Sequence, residues 1–307
     1  MTRLSIPTIL LLILSCGANW AQTPKELHPV DEDGFNILMR ILEIDPNIPL
    51  DPRITEKKEN ETTIREKIVF RGVQGRLVPA YFEYPKDATG PFPLVLMLHG
   101  WSGSKDSWSE ENNYHSGGNV KNGLLEKGFA VFAFDSPTHG DRIAENDYAP
   151  GNHYPGPEAE GRTNLMTLQE IVLGTVRDAQ RGLDYLSTRP EVDMDRVGLI
   201  GYSMGGWESF PLTAAEPRIK VTAACVTPAR MDAYNPIGSE HYIRGIGDRP
   251  YAMFMGREDS MCPIDHALGL YDLIPSPQKK LKIYESGHKL PVSYAPEAVD
   301  WLTRHLQ

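Results

Sequence analysis

Cysteine is scarce in this sequence: three thiols in 307 residues, none of them in a C-x-x-C or comparable metal spacing. That excludes a disulfide framework or a zinc–cysteine site as the basis of the fold. Basic runs are also missing, and the formal net charge is −10. Nucleic acid and an anionic membrane surface are therefore poor partners, and the acidity reads as solubility. Past the first few residues no segment is long and apolar enough to cross a bilayer, so no membrane span is expected. Internal repeats and low-complexity tracts are absent. What remains is an ordinary soluble-enzyme composition, long enough for one sizeable core.

The first residues read as a leader rather than as fold. Arg3 gives a short positive start, and Ile9 to Leu14 form an unbroken apolar run too short to span a membrane. Small residues follow, and cleavage after Ala18 or Ala21 suits a secretory signal peptide over residues 1–21. Cys16 raises the alternative of a lipid anchor, which the preceding Leu14-Ser15 fits poorly. The expected location is thus secreted or periplasmic, with a lipoprotein as the alternative. Once Cys16 is removed, Cys225 and Cys262 remain; an exported compartment permits a disulfide between them, and the sequence leaves the pairing open.

Residues 22–62 are polar and proline-bearing and read as an N-terminal extension packed on the main domain. Phe35, Leu38, Met39 and Leu42 share one face of a short helix there. From Thr63 to the end, at residue 307, the pattern is that of one α/β domain. "TIREKIVFRG" and "LVPAYFEYP" read as two strands with no helix between them, hence an antiparallel hairpin at the sheet edge. "FPLVLMLHG", "GFAVFAFD", "RVGLIGYS", "VTAACVTP" and "YAMFMG" carry the wholly apolar cores of strands covered on both faces, and "KKLKIYESGH" ends the series. Helical periods lie between them: residues 162–188, "PIDHALGLYDLI" and "PEAVDWLTRHL". The expected architecture is a mostly parallel central sheet of about eight strands, with helices on both faces.

Gly201-Tyr202-Ser203-Met204-Gly205 matches G-x-S-x-G, directly after the apolar strand Val197 to Ile200 and before a helix-compatible stretch. A tight strand-to-helix turn strains the serine backbone and needs small residues beside it. Its hydroxyl is thereby exposed at the positive end of a helix. Pro211 should kink or end that helix early.

A neutral serine needs a base. Among nine histidines, His288 alone follows the final strand and precedes the final helix. A third group must hold the imidazole in one tautomer. Asp259 stands three residues past the strand ending at Gly256, with Glu258, Asp265 and Asp232 as alternatives. Two preorganised N–H donors are needed for the oxyanion. Met204 offers one, and Trp101 in His99-Gly100-Trp101-Ser102-Gly103 offers the other. This chemistry calls for no cofactor and no metal.

"LHGWSG", "FAFDSPTHGDR", "GYSMGG", "GREDSMCP" and "SGH", in this order, resemble the α/β-hydrolase superfamily over roughly residues 64 to 307. Within it they look like the esterase branch related to dienelactone hydrolases, acetyl xylan esterases and the catalytic domains of prolyl oligopeptidases. Dienelactone hydrolases proper use a cysteine where this chain has Ser203, and a prolyl oligopeptidase propeller has no room here. The resemblance implies the α/β-hydrolase fold with a short or absent cap, the segment from Ala229 to Pro250 being at most a short lid. It places the polar loop from Ser136 to Gly161 at the same edge of the sheet as Ser203. His139 there either lines the pocket or holds the loop. Tyr202, Trp207 and Trp108 are aromatic candidates for the pocket wall, core packing being the alternative for each. Three functions follow: a secreted serine hydrolase of carboxylic esters acting through an acyl-enzyme, a peptidase or amidase with the same triad, or a silent binding fold. For the first, the expected substrate is a small-molecule or polysaccharide-derived ester.

Overall fold

The computed structural model describes residues 24–146, 166–229 and 235–307. The leader with Cys16, the larger part of the loop from Ser136 to Gly161, and Asp232 lie outside the described residues. Among the described residues, nine strands form one sheet: β1 (Arg53–Glu59), β2 (Thr63–Arg71), β3 (Leu77–Pro85), β4 (Phe92–Leu98), β5 (Ala130–Phe134), β6 (Val192–Tyr202), β7 (Ile219–Cys225), β8 (Tyr251–Gly256) and β9 (Lys279–Tyr284). Six helices accompany it: α1 (Glu32–Ile41), α2 (Gly117–Glu126), α3 (Leu168–Leu186), α4 (Met204–Ala215), α5 (Ile264–Leu273) and α6 (Tyr294–Leu306). The strand order is β1-β2-β3-β5-β4-β6-β7-β8-β9. β1, β2, β3 and β5 pair antiparallel in succession, and the rest of the sheet is parallel.

This is the expected α/β architecture with one strand more than the eight read from the sequence. The addition is β1, "RITEKKE", exposed along its whole length. With no buried face it has no apolar alternation, so its only signature is the ladder it makes with β2. The sheet therefore starts at Arg53, inside the segment expected to be an extension, and the β2–β3 hairpin lies one strand in from the edge. Charge protects both sheet edges: Lys57 and Lys58 stand on β1, and Lys279, Lys280 and Lys282 on β9. Such edges discourage pairing with another chain.

The alternation of β4 shows how the core divides. Leu94, Leu96 and Leu98 pack with Val176, Leu183 and Phe210 of α3 and α4, while Val95 and Met97 pack with Leu124, Val299 and Leu302 of α2 and α6. Every residue of β4 is buried, which is why it reads as an unbroken apolar run. The chain leaves β4 toward β5 on one side and reaches β6 on the other. Strand order thus reverses at β4, and the crevice at the carboxyl ends of β4 and β6 is where this class of sheet places its ligand.

Local signals fix the helices. Thr167 caps α3 reciprocally with Glu170: the Glu170 N–H donates to the Thr167 hydroxyl at 3.2 Å, and the Thr167 N–H donates to the Glu170 carboxylate. α1 buries Leu38, and its C-cap Leu42 is buried on the same face, as the periodicity predicts. Pro211 does not end α4, which continues to Ala215. The lost N–H would have bonded Trp207, yet every residue from Met204 to Thr213 is buried. Packing on all sides outweighs one missing bond and a ring clash worth about 3 kcal/mol.

α4 also carries Glu208, fully buried, with no well-formed hydrogen bond to either carboxylate oxygen. Burial pushes its carboxyl well above the usual range; the neighbouring Thr175 hydroxyl opposes this only weakly, since it donates to the Ile171 carbonyl at 2.9 Å. The folded chain therefore keeps Glu208 protonated where the unfolded chain ionises it. Its contribution is intact below pH about 4.5 and declines by about 1.4 kcal/mol per pH unit above that, until the folded group itself ionises. Glu208→Gln should match the parent in urea unfolding at pH 4 and exceed it increasingly toward pH 8. Parallel stability curves would refute the assignment.

Candidate active site

Ser203 sits between β6 and α4 with φ 57° and ψ −114°. A residue with a side chain adopts such a backbone only when its surroundings impose it. Here they do: the Ser203 N–H donates to Cys225 O at 2.9 Å, and Ser203 O accepts from Trp207 N at 2.9 Å. The flanking glycines are steric necessities. A Cβ on Gly201 would lie 2.0 Å from Gly205 O, and one on Gly205 would lie 2.2 Å from Leu98 O.

The three separated residues expected to act together do meet. The Ser203 hydroxyl lies 2.7 Å from His288 Nε2, and His288 Nδ1 lies 2.6 Å from Asp259 Oδ2. The Asp259 side chain is fully buried, and its Oδ1 accepts from the backbone N–H of Met261 at 2.9 Å and of Cys262 at 3.2 Å. Glu258 is exposed and contributes its backbone: its N–H donates to Ser286 O at 2.9 Å, joining the Asp259 turn to the His288 loop. Gly256 lets these two turns touch, since a Cβ there would lie 2.2 Å from Gly287 O. An imidazole held by a buried carboxylate can take the serine proton as the oxygen attacks, and can return it to a leaving group.

Met204 is the first residue of α4, so its N–H has no acceptor within its own helix. Trp101 lies on the loop after β4, beside Ser203: a Cβ on Gly100 would be 3.2 Å from Ser203 Cβ. His99 orients this loop, a function its sequence context did not reveal. Ser136 N donates to His99 Nε2 at 3.1 Å, so the proton is on Nδ1, which donates to Gly100 O at 2.9 Å. Gly103 N donates to the same carbonyl at 2.9 Å. In a trans peptide the next N–H points the opposite way, so anchoring Gly100 O directs the amide of Trp101. The loop is tethered further by Lys105, buried against Asp135 at 2.9 Å and reaching Asp141 at 3.0 Å. Burial alone would lower its ammonium pKa; Asp135 and Asp141 outweigh it and raise the pKa above its ordinary range.

An apolar cavity of about 510 Å³ opens at Ser203, lined by Trp101, Leu168, Met204, Trp207, Met261 and Pro263 among others. Of the aromatic pocket candidates, Trp207 faces it. Tyr202 does not: its side chain is fully buried on the opposite face of the sheet, among Tyr294 and the α6 residues, because β6 alternates. His139 is buried too, its Nδ1 2.8 Å from Pro137 O and its ring 5.1 Å from that of Trp101, so it holds the loop behind the wall. Trp108 belongs to the core beneath α2. A larger groove of about 700 Å³ runs between α2 and α6, but Glu111, Glu126, Glu297 and Asp300 line it and no serine, cysteine or histidine does. Cys225 and Cys262 are separate buried thiols rather than a disulfide. Among the described residues no group of His, Cys, Asp or Glu is arranged to hold a metal.

Burial holds the imidazoles of His99 and His115 down at about 4 and that of His139 at about 3. Below pH about 6.5 the unfolded chain takes up protons at these positions that the folded chain refuses. Stability is therefore full above that pH and falls toward pH 4, each group contributing up to about 1.4 kcal/mol per pH unit. His139→Gln should flatten the slope by one group's share in urea unfolding between pH 7 and 4.5. An unchanged slope would show that His139 does not titrate differently in the two states.

Comparison with known proteins places the chain in a family. The family model for acetyl xylan esterase (AXE1) matches residues 24–232. A Bacillus subtilis protein described as a hydrolase, YtaP, is 27% identical over 237 residues, 69% of this chain and 75% of its own. The Escherichia coli esterase YjfP is 23% identical over 222 residues, 63% of this chain and 79% of its own. Among solved structures, acetyl xylan esterase 1 from Thermoanaerobacterium superposes with a TM-score of 0.69 at 20% identity, over 92% of this chain and 96% of that one. The match over most of its length, on an α/β-hydrolase fold with a serine at the strand-to-helix turn, makes this chain a serine ester hydrolase of the acetyl xylan esterase (AXE1) family.

Proposed function

We propose that the protein is an exported carboxylic ester hydrolase that works through an acyl-enzyme on Ser203. His288 is the general base and then the general acid, Asp259 fixes and stabilises its imidazolium, and the amides of Trp101 and Met204 receive the oxyanion. The observation carrying this reading is the unbroken relay from Ser203 Oγ through His288 to buried Asp259, at 2.7 and 2.6 Å. Export is supported by the charged start and apolar run of the first residues.

A short acyl group on a polar alcohol, such as an acetylated polysaccharide fragment, is the substrate the site suits best. The cavity beside Ser203 is apolar and bounded by Trp101 and Trp207, which favours a small acyl chain. A separate cleft of about 470 Å³ next to the His288 loop is lined by Asn112, Ser116, Ser286 and Lys289, with Tyr114 half exposed nearby. Amide and hydroxyl groups of that kind pair with the hydroxyls of an alcohol. The names of the AXE1 family and of the Thermoanaerobacterium esterase point to the same chemistry.

Short-chain aryl esters and acetylated sugars should be hydrolysed, and a fluorophosphonate probe should label Ser203. Ser203→Ala should abolish both while leaving the melting temperature nearly unchanged. Cleavage of peptide anilides without cleavage of esters would instead establish an amidase, and absence of both labelling and turnover a silent fold.

Asp259→Asn should preserve the geometry but favour the wrong imidazole tautomer, lowering kcat by roughly 10³–10⁴-fold. A loss under tenfold, measured by steady-state kinetics, would mean that Asp259 does not orient the base.

A further inference from the structure

Tyr202 occupies a variable position of G-x-S-x-G, so the motif does not demand a tyrosine there. Its side chain is fully buried on the face of the sheet away from the apolar cavity. From there its hydroxyl engages the His288 loop twice. It donates to His288 O at 3.0 Å and accepts from Leu290 N at 2.9 Å. One oxygen thus uses both its donor and an acceptor site to pin the backbone on either side of Lys289. The ring that carries it has little freedom, packed against His115 with centroids 4.7 Å apart and against Tyr294 at 5.7 Å.

The consequence concerns two residues far apart in sequence. Ser203 and His288 belong to different loops, and their 2.7 Å contact is useful only if both loops share one frame. Tyr202 provides that frame, because the residue gripping the His288 backbone is covalently joined to Ser203. Any displacement of the β6 end then moves the serine and the imidazole together. Without the hydroxyl, a partly buried carbonyl and a buried N–H lose their partner, and the loop must shift to find another. A misplacement of about 1 Å at a reacting pair costs on the order of 10²-fold in rate.

We propose that Tyr202 is a positioning residue for ester hydrolysis, its hydroxyl holding the His288 loop in register with Ser203. The proposal rests on the roles given above to Ser203 and His288, which Ser203→Ala tests separately. If Ser203→Ala keeps its activity, that reading fails whatever Tyr202 does.

The test compares Tyr202→Phe with Tyr242→Phe in the full chain. Tyr242 is also fully buried, and its hydroxyl donates to Pro236 O at 2.6 Å, away from the His288 loop. Both variants lose the hydroxyl of a buried tyrosine, so both should lower the melting temperature while still folding. Tyr202→Phe alone should lose ten- to a hundredfold in kcat on a short-chain aryl ester, with KM within twofold of the parent. Its downfield proton resonance from the His288 Nδ1–H held by Asp259 should broaden or vanish, while Tyr242→Phe keeps it. The proposal is overturned if Tyr202→Phe keeps its kcat and that resonance, or if both variants lose kcat equally. Failure of Tyr202→Phe to fold while Tyr242→Phe folds would also overturn it, by assigning the hydroxyl to stability.

Discussion

The close backbone approach where β6 turns into α4 is the constraint on which everything else in this site depends. Ser203 can present its hydroxyl to His288 only from a left-handed backbone, which costs on the order of 1–3 kcal/mol for a residue with a side chain. The turn persists because Gly201, Gly205 and Gly206 let the chain pass within contact of Leu98 and Cys225. Those contacts tie the turn to β4 and β7, its two neighbours in the sheet. The strain is therefore offset by the most buried part of the molecule, and movement of the serine would require movement of the sheet centre.

The second half of the site is held by polar groups where apolar ones would have packed more simply. Lys105 and Asp135 are almost wholly buried, and Arg142 pairs with buried Asp178 at 2.7 Å. Buried pairs of this kind contribute little net stability, since desolvation consumes most of their attraction. What they supply is direction. Asp135 accepts from the backbone of Lys105 at 2.8 Å and of Asp141 at 2.9 Å, so one carboxylate aligns the loop after β4 with the loop after β5. The first of these borders Ser203, and the second packs His139 against Trp101. A hydrophobic substitute would fill the volume and leave the amide of Trp101 free to turn.

Most of the fold was legible in the sequence because burial on two faces leaves a plain record. β4, β6 and β8 read as strands without their partners, and α3 shows its period over five turns. Ser203, His288 and Asp259 were legible for another reason: chemistry restricts them to the carboxyl ends of particular strands. The features that escaped share a cause as well. β1 buries nothing, so it carries no pattern. Pro211 suggested a break because local propensity is blind to a helix buried on all sides. Tyr202 looked like a pocket residue through adjacency to Ser203, although strand alternation sends neighbours to opposite faces. His99 gave no signal, since its value lies in a bond to the carbonyl of the very next residue.

The distribution of charge around His288 follows from the same burial. His115 packs between Tyr202 and Trp108, and His139 lies between Trp101 and His99, its ring tilted against that of His99 with centroids 5.2 Å apart. During acyl transfer one imidazole must become positive, and any charged neighbour would oppose it. Burial keeps the other three neutral well below the pH at which an exposed histidine protonates. His288 keeps 13% of its side chain open to solvent and has the Asp259 carboxylate against its far nitrogen. The rings packed around it are thus neutral ones. That neutrality comes from depth beneath the surface rather than from any feature of the histidines themselves.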